Sequence, residues 1–151
     1  MPKPHGKNAG VGIDLGLKDA ITLSTGAKVE NSRAFAKYEA DLARAQRANK
    51  ARRVKAIHAK IANTRKHFLH RETTKIADAF GLICVGKVSG RWLQARNGKL
   101  AADASTGMSR NMLRFKAMAR AATFVDVSEY LTTQTCPDCL AVGGPKGTKG
   151  L

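Results

Sequence analysis

Gly10-Val11-Gly12-Ile13-Asp14-Leu15-Gly16-Leu17-Lys18-Asp19 reads as a short strand with a carboxylate set inside an apolar run. Aspartate is depleted in strand interiors because its side chain competes for nearby backbone hydrogen bonds. With a side-chain period of two, Ile13 and Leu15 point to one face and Asp14 to the other. A carboxylate held that way needs a partner, and a divalent cation supplies one. The ordinary alternative is a turn-forming Asp at a strand end. The position of Asp14 inside the run favours the metal reading, whereas Asp19 suits the turn that follows.

Working outward, residues 1–8 (Pro, Gly and Lys-rich) are expected to form a disordered basic tail. Residues 11–17, 19–24 and 27–30 read as three short strands of a meander, with Thr25-Gly26 as a turn. Asn31-Ser32 has the chemistry of a helix cap. Residues 33–80 lack Pro and Gly and are rich in Ala, Lys, Arg, Glu and Leu. Val54, Ile57, Ile61 and Phe68, then Leu69, Thr73, Ile76 and Phe80, follow helical spacing. The pattern predicts helices over 33–48 and 52–80, broken near Asn49-Lys50 and stopped by Gly81. Leu82-Ile83-Cys84-Val85 reads as a buried strand, with Cys84 in the core. Residues 86–107 read as irregular, with turn signals at Gly90, Asn97-Gly98 and Ser105-Thr106-Gly107. A helix is expected over 109–121, with Met112, Leu113, Phe115 (or Lys116) and Met118-Ala119 towards the core. A last strand follows over 123–127. Three meander strands, helices, a strand, a helix and a strand is the element order of an RNase H-like α/β domain. Strands one and four then lie side by side, and carboxylates at their ends can share metal ions.

A chain of 151 residues supports one domain, and a hydrophobic fraction of 43% supports a core. The net charge of +16 points to a polyanionic partner, most commonly nucleic acid. Residues 31–80 carry thirteen Lys or Arg against four Asp or Glu. A solvated helix face would mix signs. Arg44, Arg47, Lys50, Arg52, Arg53, Lys55, Lys60, Arg65 and Lys66 are therefore assigned to phosphate contact, independent of sequence. Trp92 is open to two readings, base stacking or ordinary packing. No run is long and apolar enough to span a bilayer, no signal peptide is evident, and no segment suits a membrane surface. The expected location is the cytoplasm. Three cysteines, two of them in Cys136-Pro137-Asp138-Cys139, suit a reducing compartment and a metal site. Structural Zn²⁺ needs four ligands. Cys136 and Cys139 supply two, and His5, His58, His67 and His70 stand too far off in sequence to complete the set.

The order and combination of these motifs resemble the OrfB/TnpB proteins of bacterial insertion sequences. The matching stretches are Val11-Gly12-Ile13-Asp14-Leu15-Gly16-Leu17-Lys18-Asp19, residues 58–69 leading into His70-Arg71-Glu72-Thr73-Thr74-Lys75, residues 131–139, and Gly144-Pro145-Lys146-Gly147. The resemblance implies a RuvC-type RNase H-like mixed sheet over residues 9–131, with a basic helical insertion over 33–80 and a partial zinc ribbon over 132–151. It implies an RNA-guided DNA endonuclease using Mg²⁺, with Asp14 as first catalytic carboxylate. The second position departs from the family pattern: Gly86 and Lys87 stand where a Glu is common. One branch that this sequence resembles closely carries a Glu just after the fifth strand, where Glu129 stands. Glu129 is thus a second catalytic candidate, weighed evenly against a surface Glu at a strand end. Asp103 is a weaker candidate, or a helix cap. The third carboxylate and the second C-x-x-C of longer members are expected beyond residue 151, and a further binding region ahead of residue 1. The expectation is a copy shortened at both ends that binds DNA and guide RNA and is inactive alone. Its half zinc site at Cys136 and Cys139 binds Zn²⁺ poorly or pairs two chains. The alternatives are a small non-catalytic nucleic-acid-binding regulator and a remnant without function.

Overall fold

The computed structural model describes residues 9–87, 98, 105–128 and 142–143. Strand β1 (Gly10–Asp14) turns back into β2 (Asp19–Leu23), which turns into β3 (Lys28–Glu30). Gly16 makes the first turn possible, because a Cβ there would stand 2.8 Å from the backbone oxygen of Asp19. Two helices follow, α1 (Ala34–Arg47) and α2 (Ala51–Ala79), and then β4 (Leu82–Gly86), α3 (Thr106–Ala119) and β5 (Thr123–Val127). The five strands form one mixed sheet in the order β3-β2-β1-β4-β5. β1 and β2, and β2 and β3, are antiparallel, whereas β1, β4 and β5 are parallel. Among the described residues no helix is long and apolar enough to cross a membrane.

Val54, Ile57 and Ile61 of the first helical series face one core, whereas Phe68 of that series joins Ile76 and Phe80 of the second in another. Val11, Ile13, Ile21, Ile83 and Val85 of the sheet pack with Ile76 and Ala77 of α2 and Leu113 and Ala117 of α3. Leu42 and Ala45 of α1 pack with Ile57 and Ile61 of α2, flanked by Phe35, Tyr38 and Val54. At 1.5 Å per residue α2 is roughly 43 Å long, and its two halves serve these different cores. The break between α1 and α2 is where the sequence places it. Asn49 takes φ 50°, a left-handed conformation that Asn tolerates better than most residues.

Helices α2 and α3 are clamped by polar bonds. The Lys116 ammonium donates to His70 O (2.5 Å), Thr73 Oγ1 (2.8 Å) and Thr74 Oγ1 (2.6 Å). Burial, then the nearby Arg120 charge, holds the Lys116 pKa below the usual lysine range. Arg120 pairs with Asp78 one turn further along. Glu72 is buried; that alone would raise its pKa, but hydrogen bonds from Arg71 and Lys75 outweigh it and leave the pKa lowered.

Several local expectations differ from the structure. The first strand, expected over 11–17, ends at Asp14, so Asp14 stands at a strand end and not inside the strand. Asn31 does not cap α1: its Oδ1 accepts from Arg33 N (3.2 Å) and its Nδ2 donates to Leu17 O (3.1 Å), tying the helix entry to the β1–β2 turn. Cys84 lies half-buried on the face of β4 opposite the core. On α3, Leu113, Ala117 and Ser109 face the sheet, while Phe115 and Met118 are 74% and 66% exposed. This orientation is testable by denaturant unfolding. Leu113→Ala should cost about 2–5 kcal/mol by leaving a cavity. Phe115→Ala should change stability by less than about 0.5 kcal/mol. Equal losses would place Phe115 in the core.

Candidate functional site

Parallel pairing gathers the C-terminal ends of three strands. Ile13 stands opposite Val85, and Gly86 opposite Val127. The next residue of β1, Asp14, therefore lies in the row of Gly86 and Val127. Lys87 N continues the ladder by donating to Val127 O (2.9 Å). On its other side Asp14 pairs with Thr22 of β2. Ile13 and Leu15 are buried and Asp14 is exposed, so its carboxylate projects from the face opposite the helices. Gly12, Cys84 and Val125 share that face, as do Leu82 and Val127. Leu82, Val125 and Val127 are 38%, 39% and 42% exposed, so the face is open among the described residues.

An exposed carboxylate at a strand end is a chemically suitable ligand for a hard cation such as Mg²⁺. Its neighbour Gly86 has no side chain to offer, and Lys87 brings a positive charge. No group of three or more His, Cys, Asp or Glu comes together among the described residues. Glu129 follows Val127 by two residues in sequence and lies outside the described residues. Asp103, Trp92, Cys136 and Cys139 do as well.

Asp126, which the sequence reading passed over, is the acidic side chain at the described end of β5. Its register partner Val85 is buried, and it turns to the helical side. There Arg110 Nε of α3 donates to its Oδ1 at 2.6 Å. That bond holds the Asp126 carboxyl below its ordinary range and raises Arg110. Asp126 is therefore a brace between α3 and β5 on the other side of the sheet from Asp14. The signal available in sequence was its alternation with Phe124, which shares the inward face.

The basic candidates cluster on the α1–α2 hairpin. Arg44, Arg47, Lys50, Arg52, Arg53, Lys55, Lys60 and Lys66 are exposed, and Arg65 is half-buried. Residues 42–71 contain ten Lys or Arg and no Asp or Glu. Arg44 lies 3.9 Å from the exposed Asp41, a contact worth little in water. Gln46, Asn49, Lys50, Val54, Lys55 and His58 line an open groove of about 540 Å³ at the hairpin tip. With its own small core beneath, the hairpin presents these cations on a framed surface.

Comparison with known proteins adds three findings. The family OrfB_IS605, described as a probable transposase, matches residues 1–94. A candidate RNA-guided DNA endonuclease of Streptomyces pristinaespiralis is 34% identical over 152 residues, covering 90% of this chain and 38% of that protein. InsQ of Escherichia coli K12, also a candidate RNA-guided DNA endonuclease, is 27% identical over 164 residues, covering 89% of this chain and 41% of its own length. The chain thus spans about two fifths of the curated relatives it matches. A chain of the Cas12f1–sgRNA–target DNA complex solved by cryo-EM superimposes with a TM-score of 0.61 at 16% identity, covering 87% of this chain and 39% of that one. The likeness extends the shared fold to that structure.

The brace at the strand ends carries a pH test. A depressed carboxyl pKa stabilises the fold above the ordinary aspartate pKa, and the contribution is lost as pH falls through the folded value. Asp126→Asn should therefore be less stable than the unaltered chain at pH 6–7, and the gap should close below about pH 4. Denaturant midpoints across that range report it. A gap independent of pH would remove the ionic part of the brace.

Proposed function

The chain belongs to the OrfB_IS605 family of probable transposases, and from that premise we propose that it binds RNA and DNA through its basic hairpin and carries at Asp14 a cation ligand of a RuvC-type, RNA-guided DNA endonuclease. The observation that carries the reading is the parallel register of β1, β4 and β5, which leaves Asp14 exposed at the gathered strand ends. Its relatives are RNA-guided DNA endonucleases by name, which supports guide RNA and DNA as the partners. Arg44, Arg47, Lys50, Arg52, Arg53, Lys55, Lys60, Arg65 and Lys66 contact phosphates without reading sequence. Base pairing to the guide supplies specificity.

Asp14, with Glu129, would hold Mg²⁺, which would supply Lewis-acid polarisation of a phosphoryl oxygen and a more acidic water. The task of Asp14 is to hold and orient that cation, and Glu129 is the second carboxylate of the set. Gly86 and Lys87 weaken the site, one by adding no ligand and the other by repelling the cation. Residues 1–151 therefore bind nucleic acid more strongly than they cleave it. A regulator that binds without cutting is the second reading, and the Gly86-Lys87 pair favours it. Cys136 and Cys139 form half of a zinc knuckle; two thiolates hold Zn²⁺ weakly or pair with the same thiolates of a second copy.

Binding to duplex RNA should fall steeply with added salt. Replacing Arg52, Arg53 and Lys55 together by Glu should weaken it at least about tenfold near 0.1 M salt and flatten the salt slope. Asp14→Ala should leave RNA binding unchanged. Unaltered affinity in the triple variant would overturn the hairpin assignment. Multiple-turnover, Mg²⁺-dependent DNA cleavage by residues 1–151, lost in Asp14→Ala, would overturn the reading of a weak cation site.

A further inference from the structure

A second surface carries chemistry that neither the hairpin nor Asp14 uses. Where α3 crosses α2, an open cleft of about 480 Å³ is lined by His70, Met108, Asn111, Met112, Phe115 and Lys116. Met108, Met112 and Phe115 recur at helical spacing on one stripe of α3. Met108 is 41% exposed and Phe115 is 74% exposed. A helix that already buries Ser109, Leu113 and Ala117 against the sheet and α2 has no folding reason to carry a second apolar stripe. Large exposed apolar side chains grouped in a cleft mark a binding surface.

The polar groups say what kind of occupant suits it. Lys116 has no donor left for a ligand, because its three N–H groups go to His70 O, Thr73 Oγ1 and Thr74 Oγ1, but these acceptors are neutral and its charge stays in the cleft. His70 is held below its ordinary pKa by burial and by the nearby charges of Lys116, Lys66 and His67, so it presents a neutral imidazole at pH 7. The exposed amide of Asn111 offers both donors and an acceptor. Inside, then, the cleft has a free aromatic ring, two thioethers, a neutral imidazole and an amide. Beside it stands the exposed Lys66 of α2, whose charge bears on His70. An apolar peptide would leave the Lys66 and Lys116 charges unmatched. An unpaired nucleotide matches both parts, with its base in the cleft and its phosphate on the rim.

We propose that the α2–α3 cleft takes an unpaired nucleobase of a single strand, stacked on Phe115 and met at its edge by Asn111 and His70, with a flanking phosphate on Lys66. This deepens the nucleic-acid reading and rests on it. The cleft lies on the outer side of the helical layer, while Asp14 projects from the opposite face of the sheet. It is a holding site for single strand, separate from the cation ligand and sharing only Lys66 with the duplex-binding hairpin.

The test uses residues 1–151 with two probes: a single-stranded RNA dodecamer carrying one 2-aminopurine, and a duplex RNA of mixed sequence. Stacking on Phe115 should quench the 2-aminopurine fluorescence on binding. Phe115→Ala should abolish that quench and weaken single-strand binding about 5- to 100-fold, the usual range for losing one stacked base. Duplex affinity and its salt slope should stay as they were. Phe115→Trp should restore both quench and affinity. A 4-thiouridine dodecamer photo-crosslinked to the unaltered chain should map to residues 108–115, which keeps the proposal testable if a variant misfolds. Unchanged single-strand affinity in Phe115→Ala, or cross-links confined to the hairpin, would overturn the cleft and leave it as a peptide-docking or inert surface. Failure of the hairpin variant alone would overturn the duplex reading and not this one.

Discussion

The parallel pairing of β1 with β4 is the constraint on which the rest of the molecule depends. Antiparallel neighbours are joined by a short turn, as β1 is to β2, but parallel neighbours need a crossover. Here the crossover runs through β2, β3 and both long helices before β4 returns beside β1. That path has two consequences. It aligns the C-terminal ends of β1, β4 and β5, so that residues distant in sequence meet in one row. It also places α1 and α2 as an excursion from the sheet, free to carry charge that a sheet-covering helix could not.

Helix α2 links the basic hairpin and the sheet mechanically. Its C-terminal half is locked to the sheet by Ile76 and Ala77, and to α3 by the Lys116 and Arg120 bonds. Its N-terminal half is the wall of the hairpin. Because α2 is one uninterrupted helix, the cationic tip is held at a set distance from the strand ends. Fixed spacing between phosphate contacts and a cation ligand is what lets binding position a phosphodiester for chemistry. Repulsion among the hairpin cations is a cost in the free chain, and a bound polyanion relieves it.

Much of this was legible in the sequence, because the signals were redundant. The Thr25-Gly26 turn, the helix break at Asn49-Lys50 and the Gly81 stop each have one local cause that the tertiary structure does not override, whereas the first strand, expected to run on through Gly16, ends at Asp14. The two apolar series of α2 were visible too, though not that the first is divided between two cores. The misses share a physical origin. The run Leu82-Ile83-Cys84-Val85 is apolar on both faces, and periodicity cannot tell that only one face is covered. Helix α3 has two apolar stripes, so its pattern does not choose the core-facing one, and Phe115 was assigned inward. Asn31 has the chemistry of a cap, but its amide is consumed by Leu17 and Arg33. Of the candidate site, Asp14 was read from its strand position and the hairpin from its charge; Glu129, Cys136 and Cys139 lie outside the described residues.

The central claim is that Asp14 binds a divalent cation at the gathered ends of β1, β4 and β5. Mn²⁺-induced relaxation of backbone amide NMR signals tests it most directly, because paramagnetic broadening falls steeply with distance from the ion. The account predicts selective broadening at Asp14, Gly86, Lys87, Val127 and Ser128, abolished in Asp14→Asn, with the hairpin tip unaffected. Broadening centred elsewhere, or persisting undiminished in Asp14→Asn, would contradict it.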